Sequence, residues 1–522
     1  MAQIPSKAEA PLQTAERNNG EMKKLCYQTL EENGYNGYLL KEAPERVIQF
    51  GEGNFMRAFV DYFIDRMNEE AGFNSKVVLV QPRAHHSDAF GLKNAFHEQD
   101  GLYTLYLRGS EDGRKVNRKR IISCVSRCLN SHTDFDEVLK CAENPELRFI
   151  SCNTTEAGIT YDASCRFTDR PASSYPGKLT QFLYKRFQIF GNEPGKGFII
   201  LPCELIDDNG KELKKCVKKY AGQWNLGADF LAWIEKENLF CSTLVDRIVT
   251  GFPKTEAEAL NEENGYIDSI MDTGEVFGFW VIEGPQSIRE ELPFEKAGLP
   301  ILVTDDHKPY KQRKVRILNG AHTSMALGAY LAGQDIVRDC MADDVIRGFM
   351  NRAVYEEIIP TLTLPEAELS TFAASVTERF RNPFIDHSLL SISLNSTSKW
   401  RVRVLPSLKG YVEKYGTLPV CLTASLAFYI AFYSGTKLTN DGLIGTRPKG
   451  NEYTIHDDGD VLAFFYAHKS DSVEALTHSV LSRTACWGMD LTEIPGLEAA
   501  VCRNLQLINE KGAYEMMKQT LT

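Results

Sequence analysis

The sequence predicts an α/β protein: a Rossmann-type parallel sheet in the N-terminal part, followed by a mainly α-helical C-terminal domain. Two observations carry that expectation. From about residue 25 to 303, short apolar runs alternate with helical periods. The run 46–50 enters Gly51-Glu-Gly53, then a helix whose apolar residues Phe55, Phe59, Val60, Phe63, Ile64 and Met67 keep the 3.6-residue period, and a second strand follows at 76–80. Strand, glycine turn, helix, strand is a βαβ unit, the start of a parallel sheet. Beyond residue 303 strand-like runs nearly vanish. Stripes such as Val337, Met341, Val345, Phe349 and Leu369, Phe372, Ala373, Val376, Phe380 take over, and 420–433 is apolar on nearly all sides, as a central buried helix would be. The expected division is a polar extension over 1–24, a dinucleotide-type domain over 25–303 and a helical domain over 304–522.

Three further runs extend the sheet. The run 147–152 enters Asn153-Thr154-Thr155-Glu156, 197–201 enters Pro202-Cys203-Glu204-Leu205, and 239–243 leads into Leu244-Val245-Asp246. Ligands of open parallel sheets sit beyond the carboxyl ends of the strands, so these ends form the expected rim of a site.

Composition narrows the function. The 522 residues carry 59 basic against 70 acidic side chains, a net charge of −11, which offers no general surface to nucleic acid or acidic membranes. The 13 cysteines show no C-x-x-C spacing and read as reduced, buried thiols. No apolar run reaches the roughly 20 residues of a membrane span, and the first residues lack the apolar core of a signal peptide. A cytoplasmic enzyme with no obligate protein partner is expected.

Gly51-x-Gly53 between a strand and a helix has a mechanical reason. The first glycine permits the tight turn, the second lets the backbone approach a pyrophosphate, and the helix N-terminus offers N–H donors to its charge. Arg57 is positioned to add a charged contact. The second strand runs into Gln81-Pro82-Arg83 rather than a carboxylate, which leaves NADP, through Arg83, beside NAD. Further along, Lys314 falls on a helical stripe with Ile317, Leu318, Ala321 and Met325, where an ammonium loses hydration. The flanking cations Lys311, Arg313 and Arg316 are expected to crowd it with like charge. Asn319 and His322 lie at one edge of that stripe, and an amine beside an amide and an imidazole suits proton transfer. Two His/Asp groups, at 304–307 and 456–460, sit among loop formers and read as solvated turns rather than metal ligands.

Several stretches resemble one family in order along the chain: QFGEGNFMRAF at 49–59, NTTEAGI at 153–159, SYPGKLTQFLYKRF at 174–187, LVDRIV at 244–249, WVIEG at 280–284, TDDHKPYKQRKVRILNGAHT at 304–323, RFRNPFIDH at 379–387 and SLNSTSKWRVRVLPSL at 393–408. They resemble the polyol-specific long-chain dehydrogenases, the mannitol dehydrogenase family. The FGEGNF turn favours its tagaturonate-reducing branch over the fructuronate and mannitol branches. The resemblance implies hydride transfer between a nicotinamide and a sugar acid. In it Lys314 serves as general acid/base, Asn319 helps bind the reacting oxygen, and His322 completes the catalytic set. It places cofactor contacts at Gly51, Gly53, Asn54, Phe55, Arg57, Thr155, Glu156 and Asp246, the last matching the family's active-site aspartate. A uronate also needs a carboxylate partner, for which Lys399, Arg401 and Arg403 are the candidates. Two positions depart from the family. Leu205 stands where mannitol dehydrogenases place an oxyanion-binding asparagine, with Asn209 a candidate substitute, and Lys311 replaces a glutamate. A metal-dependent sugar-acid isomerase and a non-catalytic nucleotide sensor are the more distant readings.

Overall fold

The computed structural model describes residues 22–82, 91–111, 113–154, 157–191 and 193–522. Its first part is built on β1 (Glu45–Phe50), β2 (Lys76–Gln81), β3 (Tyr103–Glu111), β4 (Arg114–Ile122), β5 (Val125–Asn130), β6 (Phe149–Cys152), β7 (Ile199–Pro202) and β8 (Leu239–Phe240). Six of these form one all-parallel sheet in the order β5-β2-β1-β6-β7-β8, with Ile48 opposite both Val78 and Ile150. Every residue of β2 is buried. Val77 and Leu79 pack into one apolar cluster and Val78 into the other, across the sheet. Burial on both faces is why such strands read as unbroken apolar runs.

The order reverses at β1, which has β2 on one side and β6 on the other. This is the switch point where ligands of open α/β sheets bind. Gly51 donates to Val80 O at 3.0 Å and Asn153 donates to Phe50 O at 3.1 Å, so the three strand ends are tied together there.

Two features of the six-stranded sheet differ from the sequence expectation. β5 was not anticipated, because Val-Ser-Arg-Cys-Leu-Asn mixes polar and apolar residues; at the sheet edge it needs no continuous apolar run. The run 239–243 is not one strand. Leu239 and Phe240 pair with β7, and β9 (Ser242–Asp246) then leaves to pair antiparallel with β11 (Phe279–Glu283). Gly210 packs so closely there that a Cβ would stand 2.5 Å from the Cys241 carbonyl. β10 (Asp272–Glu275) pairs with β3, and β12 (Ile301–Thr304) completes the small β12-β11-β9 sheet.

The helices that position the site are α1 (54–71), α2 (Tyr175–Phe190), α3 (Asn209–Gln223), α4 (308–331), α5 (Glu366–Phe380), α6 (Ser396–Arg403) and α7 (Val420–Tyr433). α7 is the buried centre of the helical part. Its free N–H groups at Cys421 and Leu422 meet the two oxygens of Glu357 at 2.8 and 2.9 Å, a carboxylate where the helix dipole favours one. A small sheet of Lys437–Leu438, Leu443–Thr446 and Glu452–Ile455 interrupts the helices. Both α1 and α4 contain a π segment, at Arg57–Asp61 and Lys314–Asn319. Among the described residues no helix is long and apolar enough to cross a membrane.

Candidate active site

Two adjoining cavities open beyond the carboxyl ends of β1, β6, β7 and β9, and they share Asn153 and Ala157. The first, about 600 Å³, is lined by Gly51, Gly53, Pro82, Thr154, Ser174 and Lys178 among others. The second, about 620 Å³, is lined by Phe55, Cys203, Leu205, Val245, Arg247 and Lys314.

The glycine turn fits a dinucleotide. Gly51 has φ +127°, and a Cβ there would stand 3.1 Å from Asn153 O, so both backbone shape and space select glycine. Gly53 caps α1 at φ −66° with no atom within 4 Å of where a side chain would project. Bare backbone at a helix N-terminus is what the approach of a pyrophosphate requires. Asn54 is exposed beside it, and Phe55 stacks on Phe59 at 5.0 Å while lining the second cavity. Arg57 does not reach that cavity. It is 2% exposed, donates to Ile270 O and, at 2.5 Å, to Asn54 Oδ1, and lies 4.0 Å from Asp272. Four residues into α1 its side chain turns to the core, where it holds Asn54 instead of a ligand. Arg83, Thr155 and Glu156 lie outside the described residues.

Lys314 sits at the domain junction with its Nζ 2.8 Å from Val245 O and 3.4 Å from Asp246 Oδ1. The apolar stripe drawn on an α-helix does not describe its surroundings: it has a carboxylate and a carbonyl, and the π segment that begins at Lys314 changes the face it occupies. Five residues at 3.6 per turn would set Lys314 and Asn319 roughly 140° apart. An i→i+5 turn carries more residues and brings the two much closer to one face. The flanking cations do not crowd it either: Lys311 pairs with Asp207, Arg313 with Glu368 at 2.6 Å, and Arg316 bonds Ser407 at 2.7 Å.

Asp246, expected among the cofactor contacts, is 3% exposed and committed elsewhere. Arg379 grips it at 2.9 and 3.2 Å and grips Glu275 at 2.8 and 3.0 Å. Burial opposes ionisation of Asp246, yet Lys314 and Arg379 outweigh it and hold the carboxyl below its usual range. Lys314 therefore stands over a fixed anion.

His322 is 7% exposed and stacks flat on Phe380 at 4.0 Å, with His387 edge-on at 5.0 Å. Burial, then His387, Arg403, Arg379 and Lys399, push its pKa well down, so the ring is neutral. Its Nε2 is buried without a partner among the described residues, and such a group in a native site points to an unfilled contact. Lys399 and Arg403, four apart on α6, lie close enough for their charges to bear on His322. Arg403 reaches Thr323 Oγ1 at 3.4 Å and Lys399 holds Ile392 O at 2.9 Å. Arg401 is not part of this cluster. Two residues from Lys399, or roughly 200° around the helix, it is exposed and its charge bears on Cys486. Arg379 and His387 join the cluster instead, although sequence reasoning gave neither a role.

Leu205 is 65% exposed and lines the second cavity. Asn209 does not replace its missing donor: fully buried, its Nδ2 holds Pro202 O and Glu204 O at 2.9 and 3.0 Å, while its Oδ1 accepts from Gly210 and Thr243. At the joint below, Asp208, Glu283 and His307 lie within ligand distance of one another. There the Lys211 ammonium, 2.8 Å from Glu283 and 3.0 Å from Asp208, already supplies the positive charge.

Known proteins with these features are close at hand. The mannitol dehydrogenase Rossmann domain family matches residues 45–296, and the mannitol dehydrogenase C-terminal domain family matches residues 306–509. The altronate oxidoreductase of Escherichia coli O6:K15:H31 (strain 536 / UPEC) is 47% identical over 482 residues, 91% of this chain and 96% of that protein. The same protein from Escherichia coli O1:K1 / APEC is also 47% identical over those shares. Among solved structures, a substrate-free D-sorbitol dehydrogenase superposes with a TM-score of 0.77 at 23% identity, covering 91% of this chain and 95% of that one. Pseudomonas fluorescens mannitol 2-dehydrogenase, in a ternary complex with NAD and D-mannitol, does so at 0.65 and 22%, covering 95% and 99%. The chain belongs to the mannitol dehydrogenase family.

Proposed function

We propose that this protein is an NAD-dependent oxidoreductase of sugar acids that reduces tagaturonate to altronate, reversibly, with Lys314 as general acid/base. One observation carries the reading: the Lys314 ammonium lines the cavity that adjoins the glycine-turn cavity, and it is pinned there by Val245 O and Asp246. When bound, the nicotinamide would supply or accept the hydride, its dinucleotide held by Gly51, Gly53 and the N-terminus of α1. NAD is the cofactor of this reading and NADP its alternative, since no carboxylate closes β2 at Gln81-Pro82.

Lys314 gives a proton to the ketone oxygen during reduction and takes the hydroxyl proton during oxidation. The Asp246 carboxylate, itself held by Arg379, fixes the position of the Lys314 amino group. Asn319, on the same π segment, donates to the oxygen as charge grows on it; one such donor contributes about 3–4 kcal/mol in oxyanion sites. Because Leu205 offers no donor, Asn319 carries more of that load. The neutral His322 ring accepts or donates one hydrogen bond to a substrate hydroxyl without carrying charge. Lys399 and Arg403 receive the uronate carboxylate. The 47% identity to altronate oxidoreductases supports this substrate class.

The test is turnover of NADH and NADPH against tagaturonate, fructuronate and fructose, with wild type and Lys314→Ala. Tagaturonate should be preferred, and Lys314→Ala should lower kcat by about 10²–10⁴-fold while NADH binding persists. Unchanged kcat would remove Lys314 from the chemistry; preference for fructuronate or fructose would move the protein to another branch.

A further inference from the structure

Two buried lysines of the Rossmann part have opposite surroundings. Lys76 is 4% exposed, and its ammonium meets Leu40 O and Ser123 O, both at 2.6 Å, and Tyr27 Oη at 3.4 Å. Three donors have three acceptors, and nothing is left over. Lys178 is equally buried at 4% but lines the glycine-turn cavity, and its one hydrogen bond among the described residues goes to Ser173 O at 3.2 Å. Among the described residues no ion pair of Lys178 is seen, although the carboxylates Glu52 and Asp162 line the same cavity. Asp162, which lines the same cavity, has its oxygens taken by Ser164 at 2.9 and 2.6 Å and by Ser173 at 2.8 Å.

A buried ammonium that lacks acceptors for its protons is unfavourable on general grounds. Lys76 meets that need with protein oxygens; at Lys178, which opens on a cavity, a bound ligand can meet it. Three features identify that ligand as an anion. Lys178 lies in the first turn of α2, a 16-residue helix capped by Ser174, whose Oγ accepts from Gly177 N at 3.1 Å, so the dipole adds positive potential. Its charge also bears on His132 past the end of β5, and Pro82 past the end of β2 lines the same cavity. The bare backbone of Gly51 and Gly53 forms part of that cavity's wall.

We propose that Lys178 and the Ser174-capped end of α2 form an anion site in the glycine-turn cavity that takes a phosphate of the bound dinucleotide. The proposal rests on the cofactor reading given above. The phosphate is either the pyrophosphate, shared by NADH and NADPH, or the 2′-phosphate that only NADPH carries.

The experiment measures dissociation constants of NADH and NADPH, by calorimetry at several salt concentrations, for wild type, Lys178→Met and Lys178→Arg, with melting of each apo protein alongside. Methionine fills the space without the charge, so the apo melting midpoint should not fall. Affinity should drop at least tenfold, the salt dependence of Kd should become shallower, and arginine should recover part of both. An equal loss for both dinucleotides places the pyrophosphate at Lys178; a loss confined to NADPH places the 2′-phosphate there. Unchanged affinity in Lys178→Met, or a loss with unaltered salt dependence, overturns the proposal and leaves the cofactor reading standing. A wild type that binds neither dinucleotide overturns the cofactor reading, and the site with it.

Discussion

Arg403 and Arg401 are two residues apart and chemically identical, yet the helix assigns them to opposite environments. Arg403 bears on His322 and touches Thr323, whereas Arg401 is exposed towards Cys486. Removing a hydrogen bond to a charged group typically costs about 1.5–3 kcal/mol. Arg403→Ala should therefore raise KM for altronate by roughly tenfold to a hundredfold, and leave the neutral alditol analogue, altritol, far less affected. Arg401→Ala should stay within about twofold on both, and equal losses for the two variants would remove the carboxylate role from this helix face. At this scale the sequence was informative wherever a residue carried its own anomaly. A lysine at that position invited suspicion by itself, and the glycine pair named its own turn. Arg379 was opaque for the opposite reason. Its importance lies in Asp246 and Glu275, which are 133 and 104 positions away along the chain, and no local pattern announces such a partner.

The elements explain which neighbouring changes should separate fold from ligand binding. At the β1–α1 turn, Gly51 needs its left-handed φ of +127° and sits 3.1 Å, at its missing Cβ, from a backbone carbonyl that cannot swing aside. Gly51→Ala should cost about 1–3 kcal/mol of stability, read as a lower denaturant midpoint. Gly53 has an ordinary φ and open space before it, so Gly53→Ala should keep the midpoint and instead weaken NADH binding, because the methyl enters the cavity. Loss of stability in both variants would mean that the turn is purely structural. The strand-turn-helix order was legible because parallel strands buried on both faces leave unbroken apolar runs. β5 was not, since an edge strand tolerates Ser126 and Arg127, and neither was the break at Cys241, where Gly210 packs closely from another part of the chain. The π segments were hidden as well. Apolar periodicity assumes 3.6 residues per turn, so the stripe drawn through Lys314 had the right residues on the wrong face.

Across the whole molecule, carboxylates of two kinds set opposite limits on stability. Glu283 joins β11 to Lys211 on α3 and to His307 at the start of α4, and so fastens the two domains. Burial opposes its charge, but Lys211 and His307 outweigh it and lower its pKa from 4.5 to about 2. Its contribution is complete above 4.5 and is lost as pH falls towards 2. Asp61 and Asp272 behave in the reverse sense. Burial dominates in both; the Tyr103 hydroxyl and then the Arg57 charge at Asp61, and the Arg57 charge at Asp272, only partly compensate, and each is raised from 3.8 to about 7. One oxygen of each lacks a partner among the described residues. Above 3.8 the unfolded chain has released these protons while the folded protein still holds them. Rising pH therefore favours unfolding until about 7, and the stability lost by then stays lost. The two kinds therefore act on different sides: Glu283 loses its contribution as pH falls below 4.5, and Asp61 and Asp272 lose theirs as pH rises from 3.8 to about 7. Asp61→Asn keeps an acceptor for Tyr103 Oη, which donates to Asp61 at 3.1 Å, and removes one of the two titrations. Denaturant unfolding from pH 4 to pH 8 should show the variant gaining on wild type as pH rises, by on the order of a few kcal/mol at pH 8. If wild type and variant instead fall in parallel, the alkaline loss does not originate at Asp61, and Asp272 or another buried carboxylate must carry it.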